Sequence, residues 1–185
     1  MSNFTRIVIT GGPGSGKTEF FERLKNEIKL DGFLFLDELA RRILSDKPHI
    51  RQHPDEFHRE IYRRQIEREE AAGERPLVTD RGTVDAFAFH PETMTDIGTT
   101  LEFEYLRYSL VIQLGSAAAL GERYYVRDEI RQENVSEALR IEAALRRVWR
   151  AHPNYKFIPA LEQIEEKYSR FRDLIVSNIK GSATQ

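Results

Sequence analysis

The chain has 185 residues, which suit one domain with a sizeable core and leave little room for a second. Its 28 basic and 30 acidic residues leave a net charge of −2, which provides no global field to draw in nucleic acid or an anionic membrane. With no cysteine, disulfides and thiolate metal sites are excluded, and no apolar stretch is long enough for a membrane span; the expectation is a soluble, cytoplasmic protein whose N-terminus enters its first strand without a removable signal.

The apolar run Arg6–Thr10 predicts a buried strand, and it leads into Gly11-Gly12-Pro13-Gly14-Ser15-Gly16-Lys17-Thr18, which fits the phosphate-loop pattern G-x-x-x-x-G-K-[ST]. Glycines let the backbone curl until successive N–H groups face phosphate oxygens, and the helix predicted over Thr18–Leu30 adds the positive end of its dipole. Lys17 then reaches the outer phosphates, and Thr18 offers a hydroxyl to Mg²⁺. A nucleoside triphosphate is the expected ligand.

Phe33–Leu36 predicts the second strand, with Asp37 and Glu38 at its C-terminal end, the edge where open α/β sheets bind ligands. Either carboxylate can orient an acceptor hydroxyl and take its proton; the competing role is to cap the helix predicted over Glu38–Leu44, which Pro48 stops. Pro54–Ala72 carries Phe57, Ile61, Tyr62 and Ile66 at helical spacing and stops at Gly73. Its charge-dense run from Arg59 to Glu70 reads as a solvated face laced with i,i+4 pairs, with Gln65 and His58 set apart from it. Leu77–Thr79 predicts the third strand and runs into Asp80-Arg81-Gly82. Asp80 stands where a phosphate-loop sheet holds Mg²⁺, and Arg81 beside it can meet phosphate oxygens of donor or acceptor.

Ser109–Leu114 predicts the fourth strand, followed by the small-residue stretch Gly115-Ser116-Ala117-Ala118-Ala119. Beyond it, Arg123, Arg127 and Arg131 recur every four residues and share a face if the segment is helical. A lid near 120–134 carrying Arg123 and Arg127 over the phosphates would neutralise the transferred group and exclude water; the alternative is an exposed helix paired to Asp128, Glu129 or Glu133. A helix from Ser136 carries Leu139, Leu145, Val148 and Trp149 before Pro153, Tyr155–Ile158 predicts the fifth strand, and Leu161–Ile179 the last helix, with Tyr168, Phe171 and Ile175. Trp149 and Phe171 are read as packing residues, and 181–185 as a loose tail. The five histidines, His49, His53, His58, His90 and His152, have no zinc spacing, and no metal is assigned to them.

The alternation of strands and helices predicts a single three-layer α/β/α domain over residues 1–180 with a five-stranded parallel sheet. Thr10–Thr18, Asp37-Glu38-Leu39-Ala40-Arg41, Thr79-Asp80-Arg81-Gly82 and Val126-Arg127-Asp128-Glu129 together resemble the small AAA-type P-loop ATPase/kinase family that includes the ribosylnicotinamide-kinase part of the NAD-biosynthesis regulator. The likeness runs from about Arg6 to about Ile175. It implies ATP and Mg²⁺, with Lys17 and Thr18 on the triphosphate, Glu38 near the acceptor, Asp80 and Arg81 at the reaction centre, and Arg127 in the lid. By analogy with nucleotide kinases it also implies the sheet order 2-3-1-4-5. Gly115-Ser116-Ala117-Ala118-Ala119-Leu120 departs from kinase relatives, which often carry a more polar or proline-bearing turn before the lid.

The activity so implied is ATP-dependent phosphoryl transfer to a small nucleoside-, nucleotide- or sugar-like metabolite. The other reading is a regulatory nucleotide switch or slow NTPase with no small-molecule acceptor. The chain has no guanine-reading Asn-Lys-x-Asp element, and Asp80-Arg81 lacks the adjacent Asp-Glu common in hydrolytic motors. The charge balance gives a nucleic-acid end kinase no basic stripe.

Overall fold

The computed structural model of the protein describes residues 5–27, 32–125 and 133–182. Five strands, β1 (Arg6–Gly11), β2 (Leu34–Leu36), β3 (Leu77–Asp80), β4 (Leu110–Leu114) and β5 (Tyr155–Ile158), form one parallel sheet in the order β2-β3-β1-β4-β5. The central β1 pairs with β3 on one side and β4 on the other. Each strand lies within a residue of its predicted bounds.

Side-chain alternation along β1 explains the three layers. Ile7 and Ile9 join Phe20, Phe21 and Leu24 of α1 (Lys17–Glu27) and Tyr168, Phe171 and Ile175 of α8 (Ile164–Ser182). Val8 points the other way, into a core with Phe87, Tyr105, Tyr108 and Trp149. Leu110 and Ile112 against Val111 repeat the split on β4. Successive strand residues face opposite sides, so a sheet apolar on both faces must be covered on both. The first face is covered by α1 and α8. The second is covered by α3 (Pro54–Ala72), α4 (Asp85–Phe89) and α7 (Val135–Trp149).

Between β2 and α3 lies α2 (Leu39–Asp46), followed by a short turn that starts at Pro48. The helix α3 has its predicted bounds, with Pro54 in its first turn and Gly73 at φ +59° closing it. Between β3 and β4 the sequence predicts no element, yet α4, α5 (Glu92–Ile97) and α6 (Leu101–Tyr105) form there. Each spans one turn or little more, too short for a helical period to emerge. The helix α7 starts one residue before the predicted Ser136. Asn134 is its cap: its side chain accepts the Glu137 N–H at 2.9 Å, while the Glu137 carboxylate accepts the Asn134 N–H at 2.9 Å.

One reading of α3 is corrected. Glu69, placed by sequence on a solvated face, is fully buried. Arg107 donates Nε and Nη2 to its Oε2 at 3.0 and 2.8 Å, and Tyr108 Oη donates to its Oε1 at 2.7 Å. Those partners lie nearly 40 residues away, so local charge pattern cannot separate this paired buried acid from an exposed one. Gln65 is buried as well, and its amide donates to Glu69 Oε1 at 2.8 Å and to Thr79 Oγ1 at 2.9 Å.

Candidate active site

The C-terminal ends of β1, β2 and β3 meet at one edge of the sheet and bring three sequence motifs together. From β1, residues 11–16 curl into α1. Gly14 and Gly16 adopt φ of +73° and +80°, a region that L side chains rarely enter, and a Cβ on Gly14 would stand 2.6 Å from the Tyr125 ring. The Ser15 N–H closes a turn onto the Gly12 carbonyl at 3.2 Å, and Phe20 N–H on Gly16 O continues into the helix. Gly12 to Glu19 line a cleft of about 570 Å³ whose other walls include Glu38, Arg41, Arg81 and Glu133.

Lys17 opens α1 and is almost fully buried, with its ammonium in direct contact with the Asp80 carboxylate. Thr18 follows at the exposed rim of the cleft. Burial raises the Asp80 carboxyl above its ordinary value, against the pull of Lys17 and Arg81. Among the described residues no group of three or more His, Asp and Glu is arranged to cage a metal. A hydroxyl and one carboxylate are hard oxygen donors, which suits Mg²⁺ ligated mainly by water and phosphate.

Arg81 is the one non-glycine residue with positive φ among the described residues, at +73°. Left-handed backbone costs an L-residue roughly 1–2 kcal/mol, and the surrounding contacts hold it there. Its N–H donates to Ile9 O at 3.0 Å, and its carbonyl accepts Thr79 Oγ1 at 2.8 Å. The conformation turns the guanidinium across the edge. Nε reaches Glu38 Oε1 at 3.4 Å, Nη1 reaches Asp85 Oδ1 at 3.2 Å, and the Phe89 ring lies 5.2 Å below.

The two acids after β2 part company. Glu38 occupies the cap position of α2 but makes no side-chain cap hydrogen bond; it faces the cleft and pairs with Arg81 and Arg41. Burial pushes its carboxyl upward, yet Lys17 and Arg81 outweigh that and hold it below the ordinary carboxylate value. Asp37 instead pairs outward with Arg42 at 3.0 Å and Lys25 at 3.4 Å, and it lines neither this cleft nor the cavity beside it.

That second cavity, of about 190 Å³, opens on the far side of Glu38 and Arg81. Leu39, Phe57, Ile61, Ala86 and Phe89 make it largely apolar, with Gln65, His58 and Asp85 as polar points. The His58 ring stacks on Phe89 and on His90, with interplanar angles of 6° and 15°. Burial, with the charge of His90, pulls His58 down to about 4, so it is neutral at ordinary pH.

Asp85 escaped the sequence reading. It accepts from Thr10 Oγ1, Arg81 Nη1, the Gly82 N–H at 3.0 Å and Trp149 Nε1 at 3.1 Å. Its one sequence signal is an acid four residues after Arg81. Trp149 therefore packs and also donates. Arg123 lies in a short turn, Glu122–Tyr124, where it stacks 4.6 Å over the Tyr124 ring and pairs with Glu162 at 3.7 Å; it does not line the cleft. Arg127 and Arg131 lie outside the described residues, and with them the predicted helical face.

Comparison with known proteins agrees with this architecture. The AAA domain family model matches residues 6–167. No curated protein matches the chain in sequence. Among solved structures, the deoxyadenosine kinase from M. mycoides, determined with dCMP and a flexible dCDP bound as products, is similar with a TM-score of 0.64 at 12% identity. That match covers 94% of this chain and 100% of the kinase. At such identity the likeness speaks for the fold: a P-loop kinase fold with its sheet in the order 2-3-1-4-5. With the family model spanning most of its length, the chain belongs to the AAA domain family.

Proposed function

We propose that the protein is an ATP-dependent phosphotransferase acting on a small hydroxyl-bearing metabolite of nucleoside, nucleotide or sugar type. The observation that carries this reading is the position of Glu38: with Arg81 it borders both the phosphate-loop cleft and the 190 Å³ cavity. A slow hydrolase or switch has no need of a second, mostly apolar chamber on the far side of an ionised carboxylate.

A triphosphate suits the cleft, whose loop wall includes Gly12, Gly14 and Gly16, and Gly14 has no room for a side chain. ATP binding draws the Lys17 ammonium from Asp80 to the outer phosphates. Thr18 and Asp80 would hold Mg²⁺, which supplies charge neutralisation at the outer phosphates when bound. The acceptor lies in the smaller cavity with a hydroxyl at Glu38. As that oxygen attacks the γ-phosphorus, Glu38 takes its proton and the bond to the bridging oxygen breaks, releasing ADP. Arg81, held by Asp85 and Glu38, meets the charge on the transferring group. Arg127 would join from the segment beyond Tyr125. Cytoplasmic localisation accords with a metabolite kinase, and no described helix is long and apolar enough to cross a membrane.

The aromatic lining of the cavity favours acceptors with a planar ring. The M. mycoides enzyme of the same fold is a deoxyadenosine kinase, which adds deoxynucleosides to nicotinamide riboside and simple sugars as candidates. The test is ADP release with ATP·Mg²⁺ across those acceptors, with thermal shift in parallel. Acceptor-dependent turnover supports the kinase; turnover equal with and without every acceptor leaves the hydrolase or switch.

A further inference from the structure

Lys167 lies on α8, outside every phosphate-loop motif, yet it is 2% exposed and its ammonium reaches the loop from behind. Nζ donates to the Ser15 carbonyl at 2.7 Å and to the Gly115 carbonyl at 2.7 Å. A trans peptide is planar, with its C=O and the following N–H pointing in opposite directions. Drawing the Ser15 carbonyl onto Lys167 thus turns the Gly16 N–H away from α8. The same geometry at Gly115 sends the Ser116 N–H to Glu142 Oε2, at 2.6 Å.

Neighbouring loop carbonyls are held as well. Ser116 Oγ donates to Pro13 O, and Ala117 N–H to Gly14 O at 2.9 Å. Three successive carbonyls, Pro13, Gly14 and Ser15, are therefore fixed by groups from the end of β4 and from α8. Gly115 itself lies close against the end of β5, where an added Cβ would stand 2.8 Å from the Ala160 nitrogen.

We propose that Lys167 is a positioning residue for the phosphate loop: its ammonium holds the Ser15–Gly16 peptide in the orientation that receives nucleotide phosphate, and does so at full strength only while protonated. This rests on the reading of the loop as a nucleotide site and is independent of the acceptor.

Burial pulls Lys167 down to about 8, with Glu142 on α7 opposing the shift. Glu142 is itself engaged by the Ser116 N–H and by Arg146 at 3.8 Å. From α1 the Phe20 ring lies 5.7 Å from Nζ, and Lys17 is turned to Asp80. The neighbouring acids Glu165 and Glu166 pair with Arg23 and Arg170, and Glu162 in the preceding loop pairs with Arg123. Bound phosphate favours the charged lysine, so binding and protonation are linked: affinity falls as pH rises through about 8, and binding there takes up a proton.

Calorimetric titration of the full chain with ADP·Mg²⁺ tests this. Between about pH 7 and about pH 9 wild-type affinity should fall several-fold, with proton uptake visible as a dependence of the heat on buffer ionisation. Lys167→Arg keeps a permanent charge and should bind with a flattened pH profile, a rescue that a merely structural role would not produce. Lys167→Met should lose about tenfold or more in affinity at neutral pH, the scale of a lost charge-assisted hydrogen bond. A flat wild-type profile, or unchanged affinity in a Lys167→Met variant that melts like wild type, overturns the proposal. A wild type that binds no ADP at any pH overturns the nucleotide reading itself and this assignment with it.

Discussion

The Lys17 ammonium and the Asp80 carboxylate meet in direct contact, 7% and 4% exposed, where β1 and β3 end side by side. Each is the other's countercharge when no phosphate is present. Lys17→Ala should abolish tight ADP binding, and it should also lower stability by about 1–3 kcal/mol because Asp80 is left buried with a weaker partner. Adding Asp80→Asn should restore stability and leave binding lost. Denaturant melts and calorimetry on the two variants check this; intact ADP affinity in Lys17→Ala would remove the phosphate-loop assignment.

Asp80→Asn alone separates metal work from packing. Its expected effect is a far larger loss in Mg²⁺-dependent turnover than in Mg²⁺-free nucleotide binding. Equal losses in both would make Asp80 structural.

Glu38→Gln and Asp37→Asn should diverge. Glu38→Gln is expected to lower kcat by about a hundredfold or more with ADP affinity nearly unchanged, and Asp37→Asn, on a solvent-facing ion pair, to behave like wild type. Because the folded Glu38 carboxyl lies below its ordinary value, it stays ionised at neutral pH, and the acid limb of kcat/KM falls below the usual carboxylate range. The unfolded chain binds the extra proton first, so Glu38 also contributes stability that is present above the ordinary carboxylate value and lost as pH falls through the folded one. Equal kinetic losses at both positions would contradict the assignment of the base.

Asp85→Asn replaces one carboxylate oxygen with an N–H₂ that faces two of the four donors. A stability loss of about 2–4 kcal/mol is expected, with kcat reduced because Arg81 loses its anchor. Melts and steady-state kinetics decide, and a variant with normal melting and normal kcat would show that Arg81 is held by its backbone alone.

His58 is neutral in the fold down to about 4, whereas in the unfolded chain it titrates near 6.5. In that window the unfolded state binds more protons, so stability drops as pH falls from about 6.5 towards 4. His58→Phe should make the slope shallower there. Urea melts at several pH values read it directly, and an unchanged slope would assign the dependence to other groups.

The phosphate loop was legible in the sequence because its spacing encodes local geometry: glycines where φ is positive, a lysine at the helix start, a strand before them. The strands were legible for a similar reason, since runs buried on both faces are apolar without interruption, as in Ile7-Val8-Ile9. Sheet order came from likeness to nucleotide kinases, and hydrogen bonds between strands distant in sequence bear it out.

What lay beyond the sequence were relations between side chains far apart along the chain. Asp37 and Glu38 are chemically alike neighbours, and only the direction of the chain entering α2 sends one to the cleft and the other to Arg42 and Lys25. Glu69 is buried because Arg107 and Tyr108 come to it, and Asp85 matters because Trp149, 64 residues on, donates to it. Lys167 meets Ser15 across 152 residues. A local pattern carries backbone preference and periodicity, whereas the partner of a buried charge is chosen by packing, and packing exists only once the sheet has brought its ends together.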